Sequence, residues 1–149
     1  MKYYHSVQGV LAEKGSRVLT IPPKTRVYDA LVLMAQEEVG ALVVVADGMP
    51  VGIFSERDYA RKVILHGKSS RQIEVQEIMS SPAQCVTPKH TVDECMSIMT
   101  HRRIRHLPVL EDDRIVGIIS IGDIVKWIIS AHEDTIEQLE NYITGKYPA

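Results

Sequence analysis

A chain of 149 residues with 45% apolar and 24% charged residues has the composition of a folded globular protein. Its formal net charge of −2 excludes a global attraction to nucleic acid or to an acidic membrane, so any basic site must be local. No apolar run approaches the ~20 residues that span a bilayer, and Met1-Lys2-Tyr3-Tyr4-His5-Ser6 has neither the apolar run nor the small-residue cleavage site of a signal peptide, so a cytoplasmic protein without membrane contact is expected.

Residues Val7 to Lys14 predict a short helix, weakened by Gly9, that ties the N-terminus to the body. Val18 to Ile21 is a β-rich lead-in strand stopped by Pro22 and Pro23. From Thr25 the period turns helical, with Val27, Ala30, Leu31, Met34 and Ala35 on one face and Gly40 as the stop. Ala41 to Val45 is apolar, β-branched and too short for a helix, which predicts a strand buried on both faces. Asp47, Gly48 and Pro50 turn the chain into a returning strand, Val51 to Phe54. Glu56 to His66 is helical and ends at Gly67, and Lys68 to Glu74 reads as a polar linker. Cys85 to Thr87 is a second lead-in strand, and Val92, Cys95, Met96 and Met99 form the inner face of the next helix. Leu107 to Leu110 and Ile115 to Ile119 make a second hairpin, closed by a helix from Ile121 to Ala131. From Glu133, residues Ile136, Leu139, Tyr142 and Ile143 fall at helical spacing before Gly145, an amphipathic tail whose apolar face must cover something.

The second half retraces the first 65 positions on without a gap: Pro23 returns as Pro88, Val27 as Val92, Met34 as Met99, Leu42 as Leu107, Val44 as Val109, Asp47 as Asp112 and Val51 as Val116. Both copies run their last strand into the same junction, Gly52-Ile53-Phe54-Ser55-Glu56-Arg57-Asp58 and Gly117-Ile118-Ile119-Ser120-Ile121-Gly122-Asp123. The expected divisions are units 9–67 and 75–131, a linker 68–74 and a tail 132–149. A unit of about 60 residues buries only ~60% of its unfolded surface, so the halves are expected to share one core.

A duplicated β-α-β-β-α unit whose last strand ends in Gly-apolar-x-Ser-x-x-Asp resembles the cystathionine-β-synthase (CBS) domain. Two in tandem resemble the CBS pair, or Bateman module, over roughly Leu19 to Trp127. The resemblance implies an α/β fold in which the two units join through their sheets with pseudo-twofold symmetry. It also implies clefts for an adenosine ligand, AMP foremost, with ATP, NAD(H) or S-adenosylmethionine as others, no metal requirement, a homodimer of CBS pairs and a regulated partner protein. Ser55 and Ser120 match the family's hydroxyl position and Asp58 and Asp123 its ribose-binding acid, with Ile53 and Ile118 on the strands that lead to them. Val39, Gly40 and Ala41 match one set of cleft walls and Ile104, Arg105 and His106 the other, while Leu19 and Gln84 match lead-in positions whose backbone reads the adenine edge. Serine stands where threonine is frequent, which keeps the hydroxyl.

The junction residues themselves admit two roles. Ser-x-x-Asp at a helix start is a capping box, in which the hydroxyl satisfies an orphan N–H and the acid favours the positive end of the dipole. The same helix N-terminus offers N–H groups to a phosphate, and a carboxylate one turn in can accept both hydroxyls of a ribose. The two clefts cannot be equivalent, because Gly40-Ala41 faces Arg105-His106 in register and Glu56-Arg57 faces Ile121-Gly122. Arg105 and Arg57 are the leading phosphate partners, since a guanidinium pairs bidentately with phosphate.

The stretch His101-Arg102-Arg103-Ile104-Arg105-His106 is the one dense basic run. The negative net charge and the lack of interleaved aromatics argue against nucleic acid as its partner. Cys85 and Cys95 form no CxxC and read as reduced small hydrophobes, the six histidines show no metal-ligand spacing, and Trp127 reads as core. No nucleophile with an oriented base and no Walker or Rossmann glycine pattern supports an enzyme. Two functions remain open: a regulatory module whose dimer responds to an adenine nucleotide, and a ligand-independent interaction scaffold whose capping boxes are structural.

Overall fold

A computed structural model describes residues 5–144. Met1 to Tyr4 and residues 145–149, with the expected stop at Gly145, lie outside the described residues. The elements are α1 (Val7–Lys14), β1 (Thr20–Ile21), α2 (Val27–Glu37), β2 (Ala41–Ala46), β3 (Met49–Ser55), α3 (Glu56–Tyr59), α4 (Val92–Arg102), β4 (His106–Glu111), β5 (Arg114–Ser120) and α5 (Ile121–Ile143). No helix among the described residues is long and apolar enough to cross a membrane.

The hairpins form as their composition dictates. In the first, β2 and β3 are antiparallel with Ala41 opposite Ser55 and Leu42 opposite Phe54, and β1 adds a parallel edge to β2. In the second, β4 and β5 repeat that register, with His106 opposite Ser120 and Leu107 opposite Ile119. Both turns require left-handed backbone, supplied by Asp47 and Gly48 in one and by Asp112 and Asp113 in the other, a conformation that aspartate tolerates better than most residues. β3 and β5, the strands that end in the two junctions, lie against each other.

Several elements differ from the sequence expectation. The first helix of each unit stops at a left-handed residue, Glu38 (φ 56°) and Arg103 (φ 54°), whose N–H closes on Met34 and Met99 carbonyls; Gly40 is not the stop. The predicted regular helix from Glu56 to His66 is one α-helical turn that widens into a π-helical stretch, Ala60–Ile64. The second lead-in strand shrinks to a single parallel bridge, Val86 to Val109, because the Thr87 N–H turns away to the His90 ring at 2.9 Å instead of continuing the ladder. The closing helix and the tail are one helix of 23 residues, since no glycine or proline interrupts 123–144. Ile136, Leu139 and Ile143 continue its apolar face into solvent.

The described residues form two cores, not the one shared core expected from size. One gathers Ile21, Val27, Met34, Leu42, Val44, Phe54 and Val63 of the first unit, the other Val86, Val92, Cys95, Met99, Leu107, Val109, Ile119 and Ile124 of the second. Each is completed by a segment from outside its own repeat. Val7 and Val10 of α1 are buried in the second core, and Val75 and Ile78, which follow the linker, are buried in the first. The linker is likewise bound, since Tyr28 and Val27 donate to the Ser70 and Ile73 carbonyls.

The two crossing segments make matching bonds. Val7 and Gln8 donate to His90 and Pro88 carbonyls, and Val75 and Gln76 donate to Thr25 and Pro23, the repeat equivalents of those acceptors. Val7-Gln8-Gly9-Val10-Leu11 thus corresponds to Val75-Gln76-Glu77-Ile78-Met79 at an offset of 68, three more than the rest of the repeat. Each segment ends over a glycine: a Cβ on Gly52 would lie 2.5 Å from Met79 Sδ, and one on Gly117 would lie 2.7 Å from Leu11 Cδ2. At Gly52 that Cβ would also stand 3.0 Å from the Ser80 carbonyl, a backbone atom that cannot swing away. Gly52→Ala is therefore expected to lower stability by about 1–3 kcal/mol, and Gly117→Ala by less because only Leu11 methyl groups must move. Urea unfolding midpoints at unchanged slope measure both, and equal losses would refute the backbone contact.

Candidate functional site

At the first junction the strand ends in a capping box formed in both directions. Ser55 N–H donates to Asp58 Oδ2 at 3.0 Å, and Asp58 N–H donates to Ser55 Oγ at 3.2 Å. The Ser55 hydroxyl adds a third bond to the same carboxylate oxygen. The other oxygen, Oδ1, accepts from Ser80 Oγ at 3.0 Å and pairs with Lys62 Nζ at 3.2 Å. Asp58 is 7% exposed and is the buried charged residue among those described. It is held by protein donors on both oxygens, as a buried carboxylate must be. The Glu56 N–H is also taken, by the Gly40 carbonyl at 3.1 Å. The helix start therefore offers a phosphate fewer amides than its sequence suggests.

A cavity of about 630 Å³ opens beside this junction and runs between the units. Its floor carries Gly40, Ile53, Ser55 and Asp58 of the first unit, one wall is the crossing stretch from Met79 to Gln84, and the other is Arg102 to His106. Six cations, Arg57, Arg61, Lys62, Arg102, Arg103 and Arg105, line it with only Glu56 and Asp58 as carboxylates. A chain of net charge −2 thus concentrates its positive charge in one cleft. The crowding is felt by Arg57, whose pKa is pushed down chiefly by Arg61, then by burial and by Arg105. Its Nη1 reaches the Arg103 carbonyl on the facing wall at 3.5 Å. Burial, reinforced by Lys14 and Arg105, lowers the pKa of His106 against the opposite pull of Asp123 and Asp58, which favours the neutral ring.

The second junction has the same box and different company. Ser120 N–H donates to Asp123 Oδ2 at 2.8 Å and Asp123 N–H to Ser120 Oγ at 3.1 Å. Here the C-terminal end of α1 supplies the cation: Lys14 Nζ stands 2.5 Å from Asp123 Oδ2 and 2.5 Å from the Ile118 carbonyl. Burial pushes the Asp123 carboxyl up, but the bonds from Lys14 and Ser120 outweigh it and leave its pKa lowered. A second cavity of about 570 Å³ touches Asp123 from the groove between α1 and α5, lined by Val10, Glu13, Lys14, Lys126, Trp127, Ile129 and Ser130. Trp127 is partly buried against the second core, with its indole N–H turned to no partner.

Of the residues singled out from the sequence, the first cavity brings together Gly40, Ile53, Ser55, Arg57, Asp58, Gln84, Ile104, Arg105 and His106. Asp123 borders the second cavity, and Leu19, Val39, Ala41, Ile118 and Ser120 line neither. Ala41 is buried in β2, and the Leu19 carbonyl is spent on the Val43 N–H. Arg61, Lys62 and the stretch from Met79 to Ala83 were not singled out. Lys62 was legible as the residue four positions after Asp58 on a helix, whereas Lys14 and Ser80 reach the acids through tertiary structure alone. Both cysteines are free, with burial raising the Cys95 thiol to about 11. Among the described residues no cluster of His, Cys, Asp and Glu could hold a metal ion.

Two α/β units, joined along β3 and β5 with a charged cleft between them, define a tandem-repeat module. The chain belongs to the CBS-domain family, whose CBS domain matches residues 15–64 and again 75–130, so it is a CBS pair, a regulatory module. It is 44% identical over 126 residues to the Arabidopsis thaliana CBS domain-containing protein CBSX3, mitochondrial, covering 81% of this chain and 61% of that protein, so it spans about three-fifths of that relative's length. A putative signal-transduction protein with CBS domains from Burkholderia ambifaria superposes with a TM-score of 0.79 at 44% identity, over 84% of this chain and 94% of that one. A CBS domain protein from Pyrobaculum aerophilum, complexed with AMP, shares the fold at a TM-score of 0.70 and 23% identity, over 79% of this chain and 88% of that one.

The lowered pKa values of His106 and Asp123 have one sign. The unfolded chain binds more protons, so the stability each contributes is complete above its unfolded pKa and is lost as pH falls through the folded one. Thermal melting followed against pH is expected to weaken first below the ordinary histidine range and again below the ordinary carboxylate range, where Glu94, lowered by its bonds to Thr91, adds to Asp123. His106→Asn should flatten the upper step alone. An unchanged upper step in that variant would remove His106 from the account.

Proposed function

We propose that this CBS pair binds an adenine nucleotide in the cleft between its units, with Ser55 and Asp58 toward the ribose and the arginines toward the phosphates. The observation that carries this is a single cavity of about 630 Å³ that combines the Ser-x-x-Asp junction of one unit with the basic wall of the other. The AMP held by the Pyrobaculum relative is consistent with a ligand of that class. Cations in excess of carboxylates favour AMP, ATP and NAD(H), which carry phosphate, over S-adenosylmethionine, which carries a sulfonium cation and none. A ligand that bridges the units shifts the module toward whichever spacing it binds more tightly, and this is the basis of the sensor reading.

Calorimetric titration with AMP, ATP, NADH and S-adenosylmethionine is the direct test. Arg105→Ala is expected to weaken phosphorylated ligands and to leave adenosine nearly unchanged. Asp58→Ala should weaken both by about 5- to 150-fold, the ~1–3 kcal/mol of lost charge-assisted hydrogen bonds, with about 1 kcal/mol of stability lost from the cap. No heat with any of the four would leave the capping boxes as structure and the module as an interaction scaffold.

The same reading has the module act as a homodimer. Ile121, Val125, Ile129, Ile136, Leu139 and Ile143 of α5 are exposed large apolar side chains that recur along one helix, a face suited to a second copy. Ile136→Asp is expected to convert the dimer to monomer in sedimentation equilibrium, and an unchanged mass would move the interface elsewhere.

A further inference from the structure

We infer that Lys14 is a built-in occupant of the second junction, so that the module holds one nucleotide per chain, at Asp58, and none at Asp123. This rests on the nucleotide reading above and adds which of the two junctions is open.

The two crossing segments start alike and end differently. At the first junction the segment is a short 3-10 turn, Val75–Glu77, after which the chain runs along the cavity as its wall. At the second, three additional residues precede the lead-in strand, and the segment becomes the eight-residue helix α1. That added length carries Lys14 to the acid. Its ammonium bonds to Asp123 Oδ2 and to the carbonyl of Ile118, the repeat equivalent of Ile53 on the floor of the open cavity. Leu11, one turn earlier, seals the strand at Gly117.

A ribose reaching Asp123 must therefore displace a charged partner from a half-buried carboxylate. It would gain no arginine wall in exchange, because the cavity beside Asp123 is bounded by α1 and α5 alone. Asp58 is partnered too, by Lys62 of its own helix and by Ser80 Oγ of the crossing stretch, but these partners line the cavity themselves and leave it open toward the arginines of the other unit.

The test is the number of AMP molecules bound per chain by the full chain and by Lys14→Met, with Lys14→Arg as the conservative control. One site in the wild type and in Lys14→Arg, rising to two in Lys14→Met, is the expected result. Two sites in the wild type, or one in Lys14→Met, overturns the inference while leaving the nucleotide reading intact. No binding by any of the three overturns both. Should Lys14→Met fail to fold, acetylation footprinting of the wild-type chain decides: Lys14 is expected to stay equally protected with and without saturating AMP. Exposure of its amine by AMP overturns the inference.

Discussion

Two glycines carry the weight of this architecture. Gly52 and Gly117 sit on the strands that lead into the junctions, and each lacks the side chain that would keep the crossing segment off the sheet. Met79 over one and Leu11 over the other bring Val75 and Ile78 into the first core and Val7 and Val10 into the second. Neither repeat closes its core with its own residues, so the two cannot separate without each losing apolar burial. A duplicated unit too small to be comfortable alone is stabilised by exchanging its ends.

That exchange also breaks the symmetry it depends on. The backbone frame is duplicated down to the acceptors of the crossing segments and the N–H at each helix start, where Glu56 meets the Gly40 carbonyl and Ile121 that of Arg105. The side chains delivered onto the frame are not duplicated. Ser80, a neutral donor, arrives at Asp58, while Lys14, a cation, arrives at Asp123. The arginines of 102–105 all stand on the second unit yet face the first junction, because the cleft lies between the units and not within either. One acid thus borders an open, positively charged cleft with a counterion from its own helix, and the other takes its counterion from α1.

What the sequence disclosed follows from how local the signals are. The hairpins, α2, α4 and both capping boxes were legible because a period of two or of 3.6 and a Ser-x-x-Asp spacing are properties of neighbouring residues. The 65-residue repeat placed the junctions, and the family resemblance supplied Gly40 and Arg105 of the cleft. It concealed the exchange, however, since the crossing segments match only at an offset of 68, and a gapless comparison passes over Val7-Gln8 and Val75-Gln76. A shared core was the natural expectation from size alone. Two cores form instead because the swapped segments lend each unit the apolar side chains it lacks. Lys14 and Ser80 had no local signature, since a lysine at the end of an exposed helix and a serine in a loop declare their partners only after the chain has crossed over.

The cleft's electrostatics link occupancy to the geometry of the pair. Arginines from both units line the cleft with two carboxylates among them, and the pKa of Arg57 is lowered first by Arg61 of its own unit, then by burial, and then by Arg105 across the cleft. Drawing the walls together raises that cost steeply, because like charges interact more strongly at shorter range and lower effective dielectric. A phosphate between the walls reverses the sign, accepting from guanidinium groups on either side and favouring the closer spacing. Under the proposed function, the empty cleft is thus biased toward opening and the occupied one toward closing. The units meet where β3 and β5 touch, and β5 leads directly into the N-terminus of α5. Under the proposed function, the charges that select the ligand also supply the energy difference between an open and a closed spacing, and the element that follows the contact is the long helix whose apolar face is turned outward.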